Sequence, residues 1–320
     1  MYKYAAAIGV DIGHYSLKVA VLNIEGDVLS EESYPLSMKQ NKEYIISSLR
    51  ESIRNIRQKV AASGINPICI GIAAKGFVDH QSGVVLGPEH GVEGWKNVPL
   101  SKILNHETGL PVFVGNDANL MTIAEQKYGA AKGFRNVIFI ALRTGIGGGI
   151  IINGKLYRGV NNAGGEIGQM IINYTGGVSD IGIHGSLEYY ASSSALVRRF
   201  SEESGLYDPE GKGKISAKEI FELSYKNDHV AVKVVKENAK LIGIGLANLI
   251  TIFAPEIIVV GGGMAEADES YLNMIRESAF SNSLENCRSE VRLERAHLGS
   301  RAAILGAAYY SLTRLAGKTF

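Results

Sequence analysis

The sequence predicts an α/β protein built from two domains. Short apolar runs typical of buried strands alternate along the chain with segments of helical spacing, which is the pattern of α/β folds. The chain has 320 residues, enough for two domains with a substantial core each. A strand–turn–strand unit also occurs twice, since Ile8–Asn23 aligns without a gap with Ile138–Asn153. We interpret this repeat as an internal duplication in which each domain opens with the same hairpin.

The first third of the chain contains four predicted strands and two predicted helices. The strands are Tyr4–Val10, Leu17–Leu22, Ile68–Ala73 and Val112–Val114. Apolar residues at spacings of three and four predict an amphipathic helix over Ile45–Val60, and Gly64 is placed to end it. The second helix is predicted over Asn116–Tyr128, with Asn116 or Asp117 at its N-terminus.

The remainder of the chain repeats this alternation. Strands are predicted at Val137–Leu142, Ile150–Ile152 and Ile257–Val260, with a glycine turn at Arg143–Gly149 between the first two. Helices are predicted at Leu187–Phe200, about Val230–Phe253 and around Arg301–Leu315. The polar segment Ser201–Lys214 is predicted to be an exposed loop.

Composition excludes several classes of function. The chain has 33 basic and 32 acidic residues, so its net charge of +1 offers no electrostatic footprint for nucleic acid. No apolar run is long enough to span a bilayer, and no signal peptide is visible. The two cysteines, Cys69 and Cys287, cannot form a disulfide framework. These features predict a cytoplasmic protein that does not bind a membrane.

Three glycine clusters follow predicted strands, at Asp11–His14, Thr144–Gly149 and Gly261–Gly263. Glycine lets the backbone approach a phosphate closely, because it has no side chain in the way. A single cluster is more often a tight hairpin, but three at strand ends favour a nucleotide site. Neither a Walker loop nor a dinucleotide fingerprint is present.

Carboxylates and amides surround these clusters. Asp117 lies in Gly-Asn-Asp-Ala-Asn after a predicted strand, where it is either a helix cap or part of a polyol site together with Asn116 and Asn119. Glu166 and Glu188 lie in glycine-dense surroundings. Asp11 ends a strand, where a carboxylate can hold hydrated Mg²⁺.

Together these motifs resemble those of the ROK family (repressors, open reading frames and kinases), within the sugar kinase, heat-shock chaperone and actin superfamily. The resemblance covers essentially the whole chain. The motifs that carry it are Gly9–Gly13, Gly115–Asn119, Thr144–Gly149, Asn153–Gly159, Ala163–Gly168, Gly243–Ile250, Pro255–Gly263 and Ile304–Ala308.

The resemblance implies a two-domain actin-like ATPase (ribonuclease H-like) fold with an active-site cleft between the domains. The expected N-terminal domain is 1–118 plus about 300–320, and the C-terminal domain is 119–299. Family members are often dimers or tetramers, so a homodimer or higher homo-oligomer is implied.

The resemblance also assigns roles by matching position. Asp117 would be the general base of an ATP- and Mg²⁺-dependent sugar kinase. Sugar contacts would come from Asn116, Glu166, Gln169 and Glu188. Nucleotide contacts would come from Asp11, Gly13, Thr144, Gly145, Gly147, Gly261, Gly262 and Gly263, with Asp11 holding Mg²⁺ through water.

The chain departs from the family at its zinc motif, in which one His and three Cys bind the metal. Gln169, Ser179, Ile181 and Ser186 stand at those positions, so we predict that no zinc is bound.

The first phosphate turn also departs from the Asp-x-Gly-Gly-Thr of family kinases. His14 and Tyr15 replace its last two residues, as in the repressor branch of the family, and Arg143 replaces a glycine before Thr144.

Two hypotheses therefore remain open. The first is a kinase of a hexose, an amino sugar or a glycoside. The second is a catalytically weak or inactive sugar-binding regulator or sensor. We expect it to lack its own DNA-binding domain, since the first strand begins near Tyr4.

Overall fold

A computed structural model describes residues 5–13, 15–37, 40–87, 92–179, 181–205 and 215–317. The predictions for His14 and for most of the loop Ser201–Lys214 lie outside the described residues.

Fourteen strands occur in the described residues. In chain order, β1 to β14 are Ala6–Ile12, Ser16–Asn23, Val28–Pro35, Gln40–Asn41, Cys69–Ala74, Phe77–Asp79, Val84–Gly87, Val92–Glu93, Val112–Asn116, Val137–Leu142, Ile146–Ile152, Lys155–Leu156, Ile257–Gly261 and Arg292–Arg295.

Ten α-helices occur in the same residues. In chain order, α1 to α10 are Lys42–Ala61, Leu100–Thr108, Asp117–Tyr128, Leu187–Ala191, Ser193–Glu203, Ala217–Tyr225, His229–Phe253, Glu269–Ser281, Glu285–Arg288 and Ala302–Leu315. No described helix is both long and apolar enough to cross a membrane.

The two main sheets have five strands each and the same kind of strand order. The first is β3-β2-β1-β5-β9, and the second is β12-β11-β10-β13-β14. In the first sheet, β1 pairs antiparallel with β2 and parallel with β5, which pairs parallel with β9. In the second sheet, β10 pairs parallel with β13, and β13 with β14. The equivalent places of β1 and β10 agree with the duplication inferred from the aligned hairpins.

The chain divides into two compact units. Unit 1 comprises 1–133, 151–164 and 300–320, and unit 2 comprises 134–150 and 165–299. The predicted boundary at 118/119 differs from this division, because helix α3 belongs to unit 1. The reason is packing: a Cβ on Gly306 of α10 would lie 1.9 Å from the carbonyl oxygen of Leu120 in α3.

The C-terminal helix α10 lies directly on the first sheet. A Cβ on Gly9 of β1 would lie 2.2 Å from the Ile304 carbonyl oxygen, and one on Gly71 of β5 would lie 1.8 Å from that of Ala307. Both strand glycines are therefore required by this close approach of helix and sheet.

Two local predictions were wrong. The turn predicted over Arg143–Gly149 is much shorter, because strand β11 begins at Ile146. The helix predicted over Leu187–Phe200 is two helices, because Ser192 has extended φ and ψ of −68° and 168° and caps α5 by accepting from the Ala195 N–H.

Cys69 is buried in the core of unit 1, whereas Cys287 is only partly buried. Cys69 is completely buried in β5, and its sulfhydryl donates to the Ser311 hydroxyl at 3.3 Å. Burial raises the pKa of the Cys69 thiol to about 11, so it stays protonated and unreactive at neutral pH.

Candidate active site

In unit 1, the carboxyl ends of β1 and β9 bring the predicted acidic residues to one edge of the sheet. Asp11 lies opposite Ala73 of β5, and Ala73 lies opposite Gly115 of β9. Two strand spacings separate Asp11 from Gly115, which is about 10 Å. Asp11 is buried, whereas Asp117 is partly exposed at the first position of α3. This edge is where open α/β sheets bind their ligands.

Asn116 is the N-cap of α3. Its side-chain oxygen accepts from the Asn119 N–H at 3.0 Å, and its Nδ2 donates to the Gly76 carbonyl oxygen at 3.1 Å. These two bonds fix the amide while leaving one donor and one acceptor direction for a ligand.

Asp117 is therefore not the N-cap, although its carboxylate lies at the positive end of the helix. Its Oδ1 accepts from the Ala118 N–H at 2.9 Å. The side-chain oxygen of Asn119, in the first turn of the helix, is buried and accepts no hydrogen bond from the described residues.

Contacts within the first glycine turn explain why residue 13 is a glycine. Gly13 donates to the Ser16 carbonyl oxygen at 2.9 Å, and a Cβ on Gly13 would lie 2.6 Å from that same oxygen. Tyr15 is 59% exposed, so its ring projects from the turn towards solvent.

In unit 2, the glycines of the second sheet also meet at one edge. Ala141 of β10 lies opposite Gly261 of β13, and a Cβ on Gly262 would lie 2.4 Å from the Leu142 carbonyl oxygen. Gly262 has a φ of +90°, which glycine adopts most easily. Gly262 is thus required by the fold, and Gly261 packs against the Phe139 ring.

Gly263 differs from both of these. A Cβ there would meet no atom within 4 Å, and its φ is not in the left-handed region. No contact in the described part of unit 2 therefore requires glycine at this position.

Glu188 is held by the second hairpin. Its Oε2 accepts from the Ile146 N–H at 2.7 Å, and a Cβ on Gly145 would lie 2.4 Å from that oxygen. Its Oε1 accepts from Gln169 Nε2 at 3.1 Å. Two hydrogen bonds therefore fix the carboxylate before any ligand arrives.

The hydrogen bond from Gln169 to Glu188 leaves the side-chain oxygen of Gln169 as a hydrogen-bond acceptor. An ionised carboxylate only accepts hydrogen bonds, so the amide of Gln169 must turn its nitrogen to Glu188 and its oxygen away. That oxygen is buried and has no hydrogen-bond donor among the described residues. Glu166 is exposed and immediately precedes the short 3-10 helix Ile167–Gln169.

The positions of the family's zinc ligands carry other interactions. The Ser179 hydroxyl accepts from the Ile183 N–H at 3.1 Å, and the Ser186 hydroxyl caps α4 by accepting from the Tyr189 N–H at 3.2 Å. Ile181 is 46% exposed. In the described part of the chain, no group of three or more His, Cys, Asp or Glu is placed to hold a metal.

Tyr190, which sequence reasoning missed, ties this loop to α4. Its hydroxyl oxygen accepts from the Gly177 N–H at 3.1 Å and from Asn173 Nδ2 at 3.2 Å. The small size of Gly176 and Gly177 lets the loop pass over the rings of Tyr190 and Tyr189. The glycine pair facing a tyrosine pair was a signal in the sequence, but no periodicity connects them.

Tyr190→Phe is expected to loosen the loop, because both donors lose their acceptor. We expect the free energy of unfolding of unit 2 to fall by about 1–2 kcal/mol. Thermal unfolding followed by circular dichroism measures this loss of stability. The same measurement tests the zinc-free prediction, under which a metal chelator does not change the melting temperature of the wild-type protein. Tyr174→Phe is the matched control, since Tyr174 is 90% exposed. A chelator-induced drop in melting temperature would contradict the zinc-free prediction.

The residues present fit ATP with Mg²⁺. Mg²⁺ keeps several waters and takes its other ligands from one or two carboxylates and the nucleotide phosphates, so the single buried Asp11 at the sheet edge suits it. The open space at Gly263 suits a phosphate or ribose that a side chain would obstruct.

Comparisons with known proteins agree with this arrangement. The family model described as ROK family matches residues 7–314. The chain is 32% identical over 308 residues to a glucokinase from Halalkalibacterium halodurans, covering 93% of this chain and 92% of that protein. It is 29% identical over 304 residues to a xylose repressor from Bacillus spizizenii, covering 95% of this chain and 76% of the repressor.

A solved structure is similar over the whole chain. It is a ROK family glucokinase from Streptomyces griseus in complex with glucose and AMPPNP. The TM-score is 0.83 at 33% identity, covering 97% of this chain and 100% of that one. Its actin-like sugar kinase fold is the fold class predicted from the sequence.

Proposed function

The chain belongs to the ROK family, and from this premise we propose that it is an ATP- and Mg²⁺-dependent kinase of a hexose, an amino sugar or a glycoside. Its ROK relatives include glucokinases, which supports a sugar phosphotransferase.

The observation that carries the proposal is the buried acceptor of Gln169. Leaving a buried polar atom without a partner costs about 1–3 kcal/mol, so this oxygen favours a bound donor, which a water or a ligand hydroxyl can supply. Sugar hydroxyls are hydrogen-bond donors. The second buried acceptor, Asn119, lies in the motif that contains Asp117. Both acceptors lie beside residues assigned to the sugar, Glu188 and Asn116.

The proposed chemistry needs one base and a neutralised phosphate. Asp117 accepts the proton of the attacking sugar hydroxyl, whose oxygen bonds to the γ-phosphorus of ATP as the bond to ADP breaks. When bound, Mg²⁺ neutralises negative charge on the phosphates. Asn116 and Glu188 orient the sugar, because their own hydrogen bonds already fix them.

Gly263→Ala separates a ligand role from a structural one. Because the added methyl group meets no atom within 4 Å, we expect the melting temperature to stay the same or rise slightly. We expect KM for ATP to rise about tenfold and KM for the sugar to change little, if the nucleotide passes this backbone. Steady-state kinetics with each substrate varied in turn measures both. An unchanged KM for ATP would remove Gly263 from the nucleotide site.

The function is tested by a screen for sugar-dependent ADP release. The full-length protein is mixed with ATP, Mg²⁺ and one of a panel of hexoses, amino sugars and glycosides, and thermal shifts with each sugar are recorded in parallel. The proposal expects turnover with at least one sugar that also raises the melting temperature. Turnover with none would contradict it.

The regulator hypothesis is favoured by one comparison and one local feature. The xylose repressor matches nearly the whole chain, and Tyr15 stands where family kinases have a small hydroxyl residue. A sugar that raises the melting temperature without ADP release would support a sensor over a kinase.

A further inference from the structure

A concave groove of about 880 Å³ lies on unit 1, away from the residues assigned above. Helix α1 contributes one wall, the end of α2 another, and the segment before β5 closes it. Its floor is apolar, with Ile53 and Pro67 buried there. A groove of this size accommodates a small organic ligand.

The rim of the groove is strongly basic. Arg50, Arg54 and Arg57 line one face of α1 at spacings of four and three, and His106 lies across from them on α2. Glu107 is the acidic side chain in the lining. The three arginines and Glu107 give the groove a net charge of +2 before His106 is counted.

Two of the arginines hold the groove in shape. Arg50 forms a bidentate ion pair with Glu107, with contacts of 2.5 and 2.6 Å. Arg57 donates to the Thr108 carbonyl oxygen at 2.9 Å, at the negative end of α2. These bonds connect α1 to the end of α2 and neutralise Glu107.

The other two basic groups are available. Arg54 and His106 are exposed and make no hydrogen bond or ion pair with any described residue. The guanidinium of Arg54 presents five donors in a planar fork, a geometry that matches the oxygens of phosphate. An anion between them would not compete with Glu107, which is already paired.

The groove lies at the opposite edge of the sheet from Asp117. Its residues Pro67 and Thr108 precede β5 and β9, whereas Asn116 ends β9. Five strand residues separate the two edges, which is about 15 Å. A ligand in the groove is therefore distinct from a sugar or nucleotide bound at the carboxyl edge.

We propose that this groove is a second binding site, which takes a phosphate monoester or free phosphate between Arg54 and His106. The phosphoryl oxygens accept from the two side chains, and the apolar floor receives the organic part of an ester. The site does not depend on the proposed kinase activity.

Isothermal titration calorimetry with the full chain tests this, with inorganic phosphate and a hexose 6-phosphate as separate probes at fixed ionic strength. We expect binding that weakens as salt is raised. Arg54→Gln should weaken it about tenfold or more, because a charge-assisted contact is lost. Tighter binding of the ester identifies the organic part as a ligand, and equal binding of both probes identifies phosphate alone.

Two variants separate this site from others. Lys218→Gln removes an exposed positive charge from unit 2 and should leave binding unchanged. Lys132→Gln removes an exposed positive charge from unit 1 outside the groove and should also leave binding unchanged. The proposal is overturned if neither probe binds, or if Arg54→Gln and His106→Gln both bind as the wild type does.

Discussion

Replacing Asp117 by Asn is expected to lower kcat for sugar phosphorylation by about 10²- to 10⁴-fold, the usual contribution of a general base. The amide has the same shape as the carboxylate and keeps an oxygen to accept from the Ala118 N–H, so the start of α3 should be preserved. What the amide lacks is basicity, so the proton of the attacking hydroxyl has no acceptor. The sugar-induced rise in melting temperature should therefore persist while turnover falls.

The measurement is ADP release under saturating ATP and sugar, with thermal shifts on the same samples. Asp228→Asn is the matched control, because Asp228 also lies at a helix start and accepts from the Ala231 N–H at 2.8 Å. We expect its kcat to equal that of the wild type. A kcat for Asp117→Asn within twofold of wild type would exclude Asp117 as the base.

Elements with strong local signals were predicted closely. The strand Val137–Leu142 was predicted at its observed bounds, and the helix ending at Phe253 begins one residue before its predicted start. Uninterrupted apolar runs mark buried strands, and long amphipathic spacing marks a helix, so neither needs tertiary information. Family motifs then supplied the fold class that the comparisons confirm.

The wrong predictions depend on contacts distant in sequence. Glycine predicts a turn, yet Gly148 lies inside β11, where a Cβ would lie 2.1 Å from the Ile167 side chain. Glycine there gives room to a neighbouring element, and nothing local in the sequence shows that neighbour. Ser192 likewise ends one helix and caps the next, although the apolar spacing continues across it.

In the candidate site, too, the sequence predicted the residues but not the contacts between residues distant in sequence. The family motifs identified Glu188 and Gln169 as candidate site residues. They did not reveal that the hairpin fixes Glu188 through a hydrogen bond, or that Glu188 in turn orients Gln169. Those contacts determine which atom of Gln169 remains available as a hydrogen-bond acceptor. The hydrogen bonds of Tyr190 to the loop were likewise not predictable, because its partners lie 13 and 17 residues away in the sequence.

Gly71→Ala is expected to lower the free energy of unfolding of unit 1 by about 3 kcal/mol, the upper part of the usual range for overpacking. The new methyl carbon would lie 1.8 Å from the carbonyl oxygen of Ala307 and 2.4 Å from its carbonyl carbon. Both atoms are backbone, so no side chain can rotate away and α10 must move from the sheet. Because Gly9 and Gly306 make similar close contacts, this movement disturbs the packing of α10 against β1 and α3 as well.

Urea unfolding measures the change in the free energy of unfolding, and the fluorescence of the single tryptophan shows which unit unfolds. Trp95 is buried in the core of unit 1, so its fluorescence reports the unfolding of that unit. Gly263→Ala is the matched control, since the same added methyl group meets nothing within 4 Å. Because Gly263 lies in unit 2, its transition is followed by circular dichroism and should stay within about 0.5 kcal/mol of wild type. If Gly71→Ala unfolds at the wild-type urea concentration, the sheet and α10 do not approach as closely as these contacts require. That result would contradict the close packing of α10 on the first sheet, which is the contact that joins the C-terminal helix to unit 1.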